Sequence, residues 1–131
     1  MKPDGLVLRQ SAHGPKETAD RLAASATAHG MTVFARIDHA GLAAEAGMSL
    51  RATEVLIIGN PKGGTPLMQA VQSIGIDLPL KALVFADESG KTFVAYNDPH
   101  WLAARHGVTG QGNLLAVLTN ALETVTKDAA S

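Results

Sequence analysis

The segment Thr53-Glu54-Val55-Leu56-Ile57-Ile58-Gly59-Asn60-Pro61-Lys62 contains a nearly unbroken apolar run that leads directly into a helix start. Such a run is typical of a strand that is buried on both faces. Asn60 is a residue type that caps helices, and Pro61 fits the first helical position. The segment therefore predicts a central strand whose following loop emerges from the middle of the fold.

The patterns in the rest of the chain place further strands and helices around this central strand. Strands are predicted at residues 5–9, 32–38, 81–86 and 92–96, and the last two form a hairpin closed by Asp87-Glu88-Ser89-Gly90. Helices are predicted at residues 15–29, 39–46, from 61, 99–106 and 113–127. The order β-α-β-α-β-α-β-β-α-α favours an α+β fold with a single mixed, largely antiparallel sheet and helices mainly on one face.

Composition limits the domain count and the classes of partner. The 131 residues predict a single domain, 1–131, that is large enough for a hydrophobic core. Lys and Arg number 11 against 12 Asp and Glu, which argues against a nucleic acid or an anionic membrane as the main partner. The absence of cysteine excludes disulfides and thiolate metal sites, and the first residues do not resemble a signal peptide. We expect a soluble, cytoplasmic protein.

The first candidate site is the helix start at Asn60, Lys62, Gly63 and Thr65. A helix N-terminus offers unpaired N–H groups and a partial positive charge, and the lysine and the threonine add donors. A phosphate or a carboxylate could bind there. The spacing is not that of a P-loop. The same residues equally suit a plain helix cap, with Asn60 capping and Lys62 in solvent.

Two other segments carry residues with possible chemistry. Asp38-His39 ends a predicted strand, and Asp98-Pro99-His100-Trp101 begins a predicted helix. A histidine could act as an acid, a base or a ligand, and a carboxylate beside it could orient the ring. In both segments the aspartate is also adequate as a simple N-cap. The three candidate segments begin just past strand ends, which predicts that they meet at one rim of the sheet.

The five histidines give no metal motif. They are His13, His29, His39, His100 and His106, and none lies at the spacing of paired zinc ligands on a helix. We therefore predict no metal site, and the sequence identifies no cofactor. No serine lies in a nucleophile-elbow pattern, and no glycine-rich dinucleotide fingerprint is present.

Four separate pieces of the chain together resemble one family. They are residues 30–39, 56–62 (Leu-Ile-Ile-Gly-Asn-Pro-Lys), 75–81 (Gly-Ile-Asp-Leu-Pro-Leu-Lys) and 96–99 (Tyr-Asn-Asp-Pro). In order and spacing they resemble the domain of unknown function 302 family of small bacterial and archaeal proteins. The resemblance spans roughly residues 6–107, and the helix at 113–127 looks like an addition to that core. The family's characteristic positions correspond to Asp38, Asn60, Pro61, Leu78, Pro79, Asp98 and Pro99.

The resemblance implies a fold similar to that of the TATA-box-binding protein, and a homodimer. It implies no established activity. With helices mainly on one face, the other face of the sheet needs a cover, and either a dimer partner or the last helix could supply it. The residues expected on that face are Phe34, Leu56, Ile58 and Phe93.

Three functions remain open from the sequence. The first is a homodimeric module that binds a small anionic or polar ligand at Asn60–Thr65, with Asp38, His39, Asp98 and His100 as second contributors. The second is a small enzyme that uses His39 or His100 as acid or base and Lys62 as an electrostatic clamp. The third is a purely structural or protein-interaction dimer.

Overall fold

A computed structural model describes residues 2–131 and contains one five-stranded sheet, in the order β1-β5-β4-β3-β2. All four neighbouring pairs are antiparallel. The strands are β1 (Leu6–Gln10), β2 (Thr32–Asp38), β3 (Thr53–Gly59), β4 (Leu80–Ala86) and β5 (Thr92–Asn97). The helices are α1 (Pro15–Ala28), α2 (His39–Glu45), α3 (Pro61–Ala70), α4 (Pro99–Arg105) and α5 (Gly112–Ala130), and a 3-10 helix spans Gln72–Asp77. The predicted order and the α+β class are confirmed.

One face of the sheet forms the hydrophobic core beneath α1 and α5. Leu56 and Ile58 of β3 are fully buried, and their cross-strand partners Ala82 and Leu80 are buried beside them. Leu22 and Ala26 of α1 and Leu122 and Val125 of α5 complete this cluster, each of them fully buried. Leu56 and Ile58 are two residues apart, so strand geometry places both side chains on the face that packs against the helices.

The last helix is part of this core. The family resemblance spanned roughly residues 6–107, and the helix at 113–127 looked like an addition to that family core. In the structure the helix runs from Gly112 to Ala130, packs along α1, and contributes Leu115, Leu122, Val125 and Ala129 to the same hydrophobic cluster. An apolar stripe indicates which side of such a helix is buried, but what that side packs against depends on tertiary structure.

The opposite face of the sheet is also apolar and is partly exposed. It carries Leu8, Val55, Ile57, Leu83, Phe85 and Phe93. The rings of Phe85 and Phe93 stack with centroids 5.7 Å apart. Of the residues expected on this face, Phe93 lies there. Leu56 and Ile58 do not, because they point into the helix-covered core.

Phe34 lies in a β-bulge of β2, where side chains do not alternate regularly between the two faces of the sheet. Val33 pairs with Ile58 and Ala35 pairs with Ile57, so Phe34 between them has no partner on β3. The extra residue places Val33 and Arg36 on the same face, where strict alternation predicted opposite faces. Phe34 remains 49% exposed at the edge of the sheet.

Replacing Leu122 by alanine tests whether α5 belongs to the core. Leu122 is fully buried, so its truncation should lower the free energy of unfolding by about 2–5 kcal/mol. Val117 lies on the same helix and is 63% exposed, so Val117→Ala should change stability by less than about 0.5 kcal/mol. Urea unfolding followed by circular dichroism measures both. Equal, small effects would mean that α5 is only an appendage.

Candidate functional site

The antiparallel sheet divides the three predicted segments between its two ends. Asn60 follows β3, and Asp98 follows β5, at the end where Ile58 pairs with Leu80. Asp38 lies at the other end of β2, where it pairs with Glu54 at the start of β3. A seven-residue strand is about 20 Å long, at roughly 3.3 Å per residue. The predicted common rim of all three segments is therefore wrong: Asp38 and His39 are remote from the other two.

At the start of α3 the backbone N–H groups are already used. The Asn60 side chain accepts a hydrogen bond from the Lys62 N–H at 2.9 Å. The Asn60 carbonyl accepts from the Gly63 and Gly64 N–H groups at 2.8 and 3.1 Å, and Pro61 has no N–H. The sequence predicted unpaired donors here for an anion, but the cap occupies them. A ligand at this helix start would have to use side chains instead.

A cavity of about 220 Å³ opens beside this helix start. Its walls come from the β2 bulge, the end of β3, the first turns of α3, the loop before β4, and α5. The apolar lining residues are Phe34, Met68, Leu78, Pro79, Leu80 and Leu118. Asn60 and Thr65 are the polar side chains at this cavity. The cavity is thus an apolar space with hydrogen-bonding groups at one side.

The glycines of α3 have different surroundings. A β-carbon on Gly63 would lie 2.9 Å from Cδ2 of Leu118, so Gly63 faces α5 and allows the two helices to approach closely. A β-carbon on Gly64 would make ordinary contacts, 3.7 Å from Leu78 and 3.9 Å from Met68, and Gly64 lines the cavity. Of the predicted ligand residues, Asn60 and Thr65 line the cavity, whereas Lys62 and Gly63 do not.

Asp98 and His100 form a cap with only a weak further contact. The Asp98 carboxylate accepts from the His100 N–H at 2.9 Å and lies 3.3 Å from Nδ1 of the same ring. Thr119 of α5 lies 3.3 Å from that ring nitrogen, and half of the imidazole is exposed. These side chains share an end of the sheet with Asn60, but they do not line the cavity.

At the far end of the sheet, Asp38 caps α2 by accepting from the Gly41 N–H at 3.0 Å. His39 is exposed at the first position of that helix. Asp38 borders a second depression, next to an ion-pair cluster in which Arg36 binds Glu54 at 2.7 Å and Asp20 at 2.9 Å. Hydrogen bonds from Lys16 and Arg36 lower the pKa of Asp20. Lys16 and Arg36 are each paired with a carboxylate, so the described residues that line this depression offer no free cation for an anionic ligand.

A third group of side chains was not predicted from the sequence. Ser73 Oγ lies 2.8 Å from Nδ1 of His106, and Nε2 of the same ring lies 2.5 Å from Oδ2 of Asp77. Arg105 also binds Asp77, at 2.6 Å. Burial raises the pKa of Asp77, but hydrogen bonds from His106 and Arg105 outweigh it and hold the pKa below its usual range. Ser73 and His106 are 33 positions apart, so no local motif could have revealed this cluster.

Residues 2–131 contain neither a metal-binding cluster nor a helix that could cross a membrane. No group of three or more His, Asp or Glu side chains within this range is arranged to hold a metal ion. None of the helices in this range combines the length and the apolar character needed to span a lipid bilayer.

An open antiparallel sheet with helices on one face, and a cavity at the end of its central strand, define a small α+β domain. The chain belongs to the family described as domain of unknown function DUF302, whose model matches residues 8–125. The crystal structure of an uncharacterized conserved DUF302 protein from Bacillus stearothermophilus has the same fold, with a TM-score of 0.86 at 19% identity. That match covers 97% of this chain and 99% of the other.

Curated relatives from Brucella carry a functional name. Proteins named fluoride-specific ion channel FluC 1, from Brucella suis biovar 1 (strain 1330) and Brucella abortus biovar 1 (strain 9-941), are each 48% identical to this chain over 128 residues. The matches cover 96% of this chain but 50% and 47% of those proteins. The chain therefore spans about half the length of these relatives.

Replacing Asn60 tests the cap at the start of α3. Asn60→Ala should lower the free energy of unfolding by about 1 kcal/mol, because the Lys62 N–H loses its acceptor. Asn60→Asp supplies an equivalent acceptor and should retain most of the stability. Chemical unfolding of the three proteins measures the effect. Equal stability of the alanine and aspartate variants would show that the side-chain cap contributes little.

Proposed function

We propose that this protein is a homodimeric, cytoplasmic module that binds a small molecule in the cavity beside Asn60–Thr65. The proposal rests on the cavity, which has a volume of about 220 Å³ and lies at the end of the central strand. Pockets that combine an apolar lining with a few polar groups are the usual form of small-molecule sites. An apolar cavity of about 150 Å³ holds a benzene molecule, so this one has room for a substituted ring or a short chain.

The lining suggests an amphipathic ligand with a polar or anionic end. Its apolar body would contact Phe34, Met68 and Leu118, and its polar end would lie toward Asn60 and Thr65. The exposed ammonium of Lys62, two residues after Asn60, would favour an anionic end in solvent. The backbone donors of α3 are engaged, so the negative charge would be held by side chains and water rather than by the helix N-terminus.

Thermal unfolding with defined probes tests this ligand class. Hexanoate and benzoate should raise the unfolding midpoint by several degrees at concentrations well above their dissociation constants. Inorganic phosphate should have little effect, because it leaves the apolar space empty. Hexanol should stabilise less than hexanoate if the charged end contributes.

The control blocks the cavity without disturbing the cap. A leucine at position 64 would extend into the cavity from a β-carbon in ordinary contact with Leu78 and Met68, so Gly64→Leu should abolish the shift. Gly112→Leu adds the same side chain at an exposed helix start with no neighbouring atoms within 4 Å, and should leave the shift intact. No shift with any probe, or an equal shift in Gly64→Leu, would refute binding in this cavity.

The dimer would use the partly exposed face of the sheet. This face carries aromatic and aliphatic side chains at its centre, and Lys81 lies toward one end of β4. Aromatic enrichment and depletion of charge are typical of the centre of a protein interface. A second copy of the same face would bury these side chains in a two-fold symmetric contact. The family resemblance, which implied a homodimer, supports this partner over an unrelated one.

Substitution of Phe93 by lysine tests the dimer. The wild-type protein should scatter light as twice its 13.6 kDa chain mass, and Phe93→Lys should scatter as a monomer because it places a charge in the apolar face. Val117→Lys adds the same charge on α5, on the other side of the sheet, and should remain dimeric. Circular dichroism checks that both variants fold. A wild-type monomer at high concentration would contradict the proposal, as would a dimeric Phe93→Lys variant.

A second candidate function is that of an accessory domain of an anion channel. It rests on the 48% identity to half the length of the two Brucella proteins named as fluoride-specific channels. The thermal series therefore includes sodium fluoride against sodium chloride at equal ionic strength. A shift specific to fluoride would favour this function over an amphipathic ligand.

The other functions predicted from the sequence have less support. An enzyme based on His39 or His100 has less support because neither ring lines the cavity beside Asn60. The hydroxyl near His100 is that of Thr119, and it already donates to the Leu115 carbonyl at 2.8 Å. A purely structural dimer would use the sheet face and leave the cavity without a ligand. The Gly64→Leu comparison separates that function from ligand binding.

A further inference from the structure

Ser73, His106 and Asp77 form a hydrogen-bonded chain on the surface between the 3-10 helix and the end of α4. The imidazole of His106 is 9% exposed and is therefore fixed, whereas Ser73 at the outer end of the chain is exposed. Both ring nitrogens are engaged, by a hydroxyl at 2.8 Å and by a carboxylate at 2.5 Å. A serine is activated when a base lies within hydrogen-bond reach of its hydroxyl and a third residue orients that base.

The hydrogen bonds also determine which nitrogen carries the proton. An ionised carboxylate can only accept, so Nε2 of His106 donates to Asp77. The guanidinium of Arg105, 2.6 Å from the same oxygen, helps to keep this carboxylate ionised. In the neutral ring Nδ1 then has no proton and accepts from the Ser73 hydroxyl. This is the protonation state that a general base needs.

We propose that Ser73 is a nucleophilic serine that accepts acyl groups from small activated esters, with His106 as its general base and Asp77 as a positioning residue. The proposal goes beyond the ligand-binding function, because none of the three side chains lines the cavity beside Asn60. An exposed serine suits small and unhindered esters rather than a large specific substrate.

The reaction needs no co-reactant other than water. Ser73 Oγ forms a bond to the acyl carbon while its proton moves to Nδ1 of His106. The bond from the acyl carbon to the ester oxygen then breaks, and the leaving alcohol takes that proton. Water attacks the resulting acyl-serine, gives a proton to His106, and releases the carboxylic acid as Ser73 Oγ regains a proton. Asp77 stabilises the transient imidazolium without taking its proton.

Covalent labelling tests the proposal. The protein is incubated with p-nitrophenyl acetate or with a fluorophosphonate, and adducts are located by peptide mass spectrometry. We expect an adduct at Ser73 that is absent in Ser73→Ala and unchanged in Ser49→Ala, which removes an exposed loop hydroxyl. His106→Ala should slow labelling by about 100-fold or more, the usual contribution of a general base. Labelling of other serines at the same rate as Ser73 would overturn the proposal.

A second readout separates catalysis from a structural role of the cluster. The labelling rate of the wild type should fall as the pH is lowered and the imidazole is protonated, at pH values where circular dichroism shows a folded protein. Asp77→Asn favours the wrong ring tautomer and should slow labelling of a variant that is still folded. If His106→Ala does not fold, the pH profile of the wild type and the labelling rate of Asp77→Asn test whether His106 acts as a base. A flat profile together with normal labelling of Asp77→Asn would overturn the proposal.

Discussion

The burial of Leu56 and Ile58 beneath α1 and α5 determines which way the sheet faces and where its central strand ends. These two side chains fix which face of β3 points into the core, and each neighbouring strand must match that choice because directly paired residues share a face. The same burial fixes where β3 ends. Gly59 and Asn60 therefore emerge at a rigid position, and α3 begins there with its cap already formed.

The cavity lies beside the start of α3 and does not include the N–H groups of that helix start. The cap uses the N–H groups of Lys62, Gly63 and Gly64, so the polar end of α3 is internally satisfied. The neighbouring loop before β4 and the side chain of Leu118 from α5 do not fill the space above the sheet, and an apolar opening remains. The segment that begins at Asn60 can therefore cap α3 and also line the cavity, because different atoms fill the two roles.

Much of the local structure could be predicted from the sequence because local chemistry determines it. Asn60, Asp98 and Asp38 each accept a backbone N–H as caps, and Gly30 and Gly90 have positive φ angles of 79° and 85°. The bulge at Phe34 could not be predicted, since one extra residue alters the alternation of β2 without a local signal. The cavity and the Ser73–His106–Asp77 cluster join segments that are distant in the chain, so only tertiary packing brings them together.

An NMR titration with hexanoate shows whether the cavity at the end of β3 binds a small amphipathic molecule. Methyl and amide spectra would be followed as hexanoate is added. We expect saturable shifts concentrated at the Met68 and Leu118 methyl groups and at the Gly59 and Gly64 amides, with little change in α2 at the far end of the sheet. Spectra that do not change, or shifts that centre on α2 or on the exposed sheet face, would contradict it.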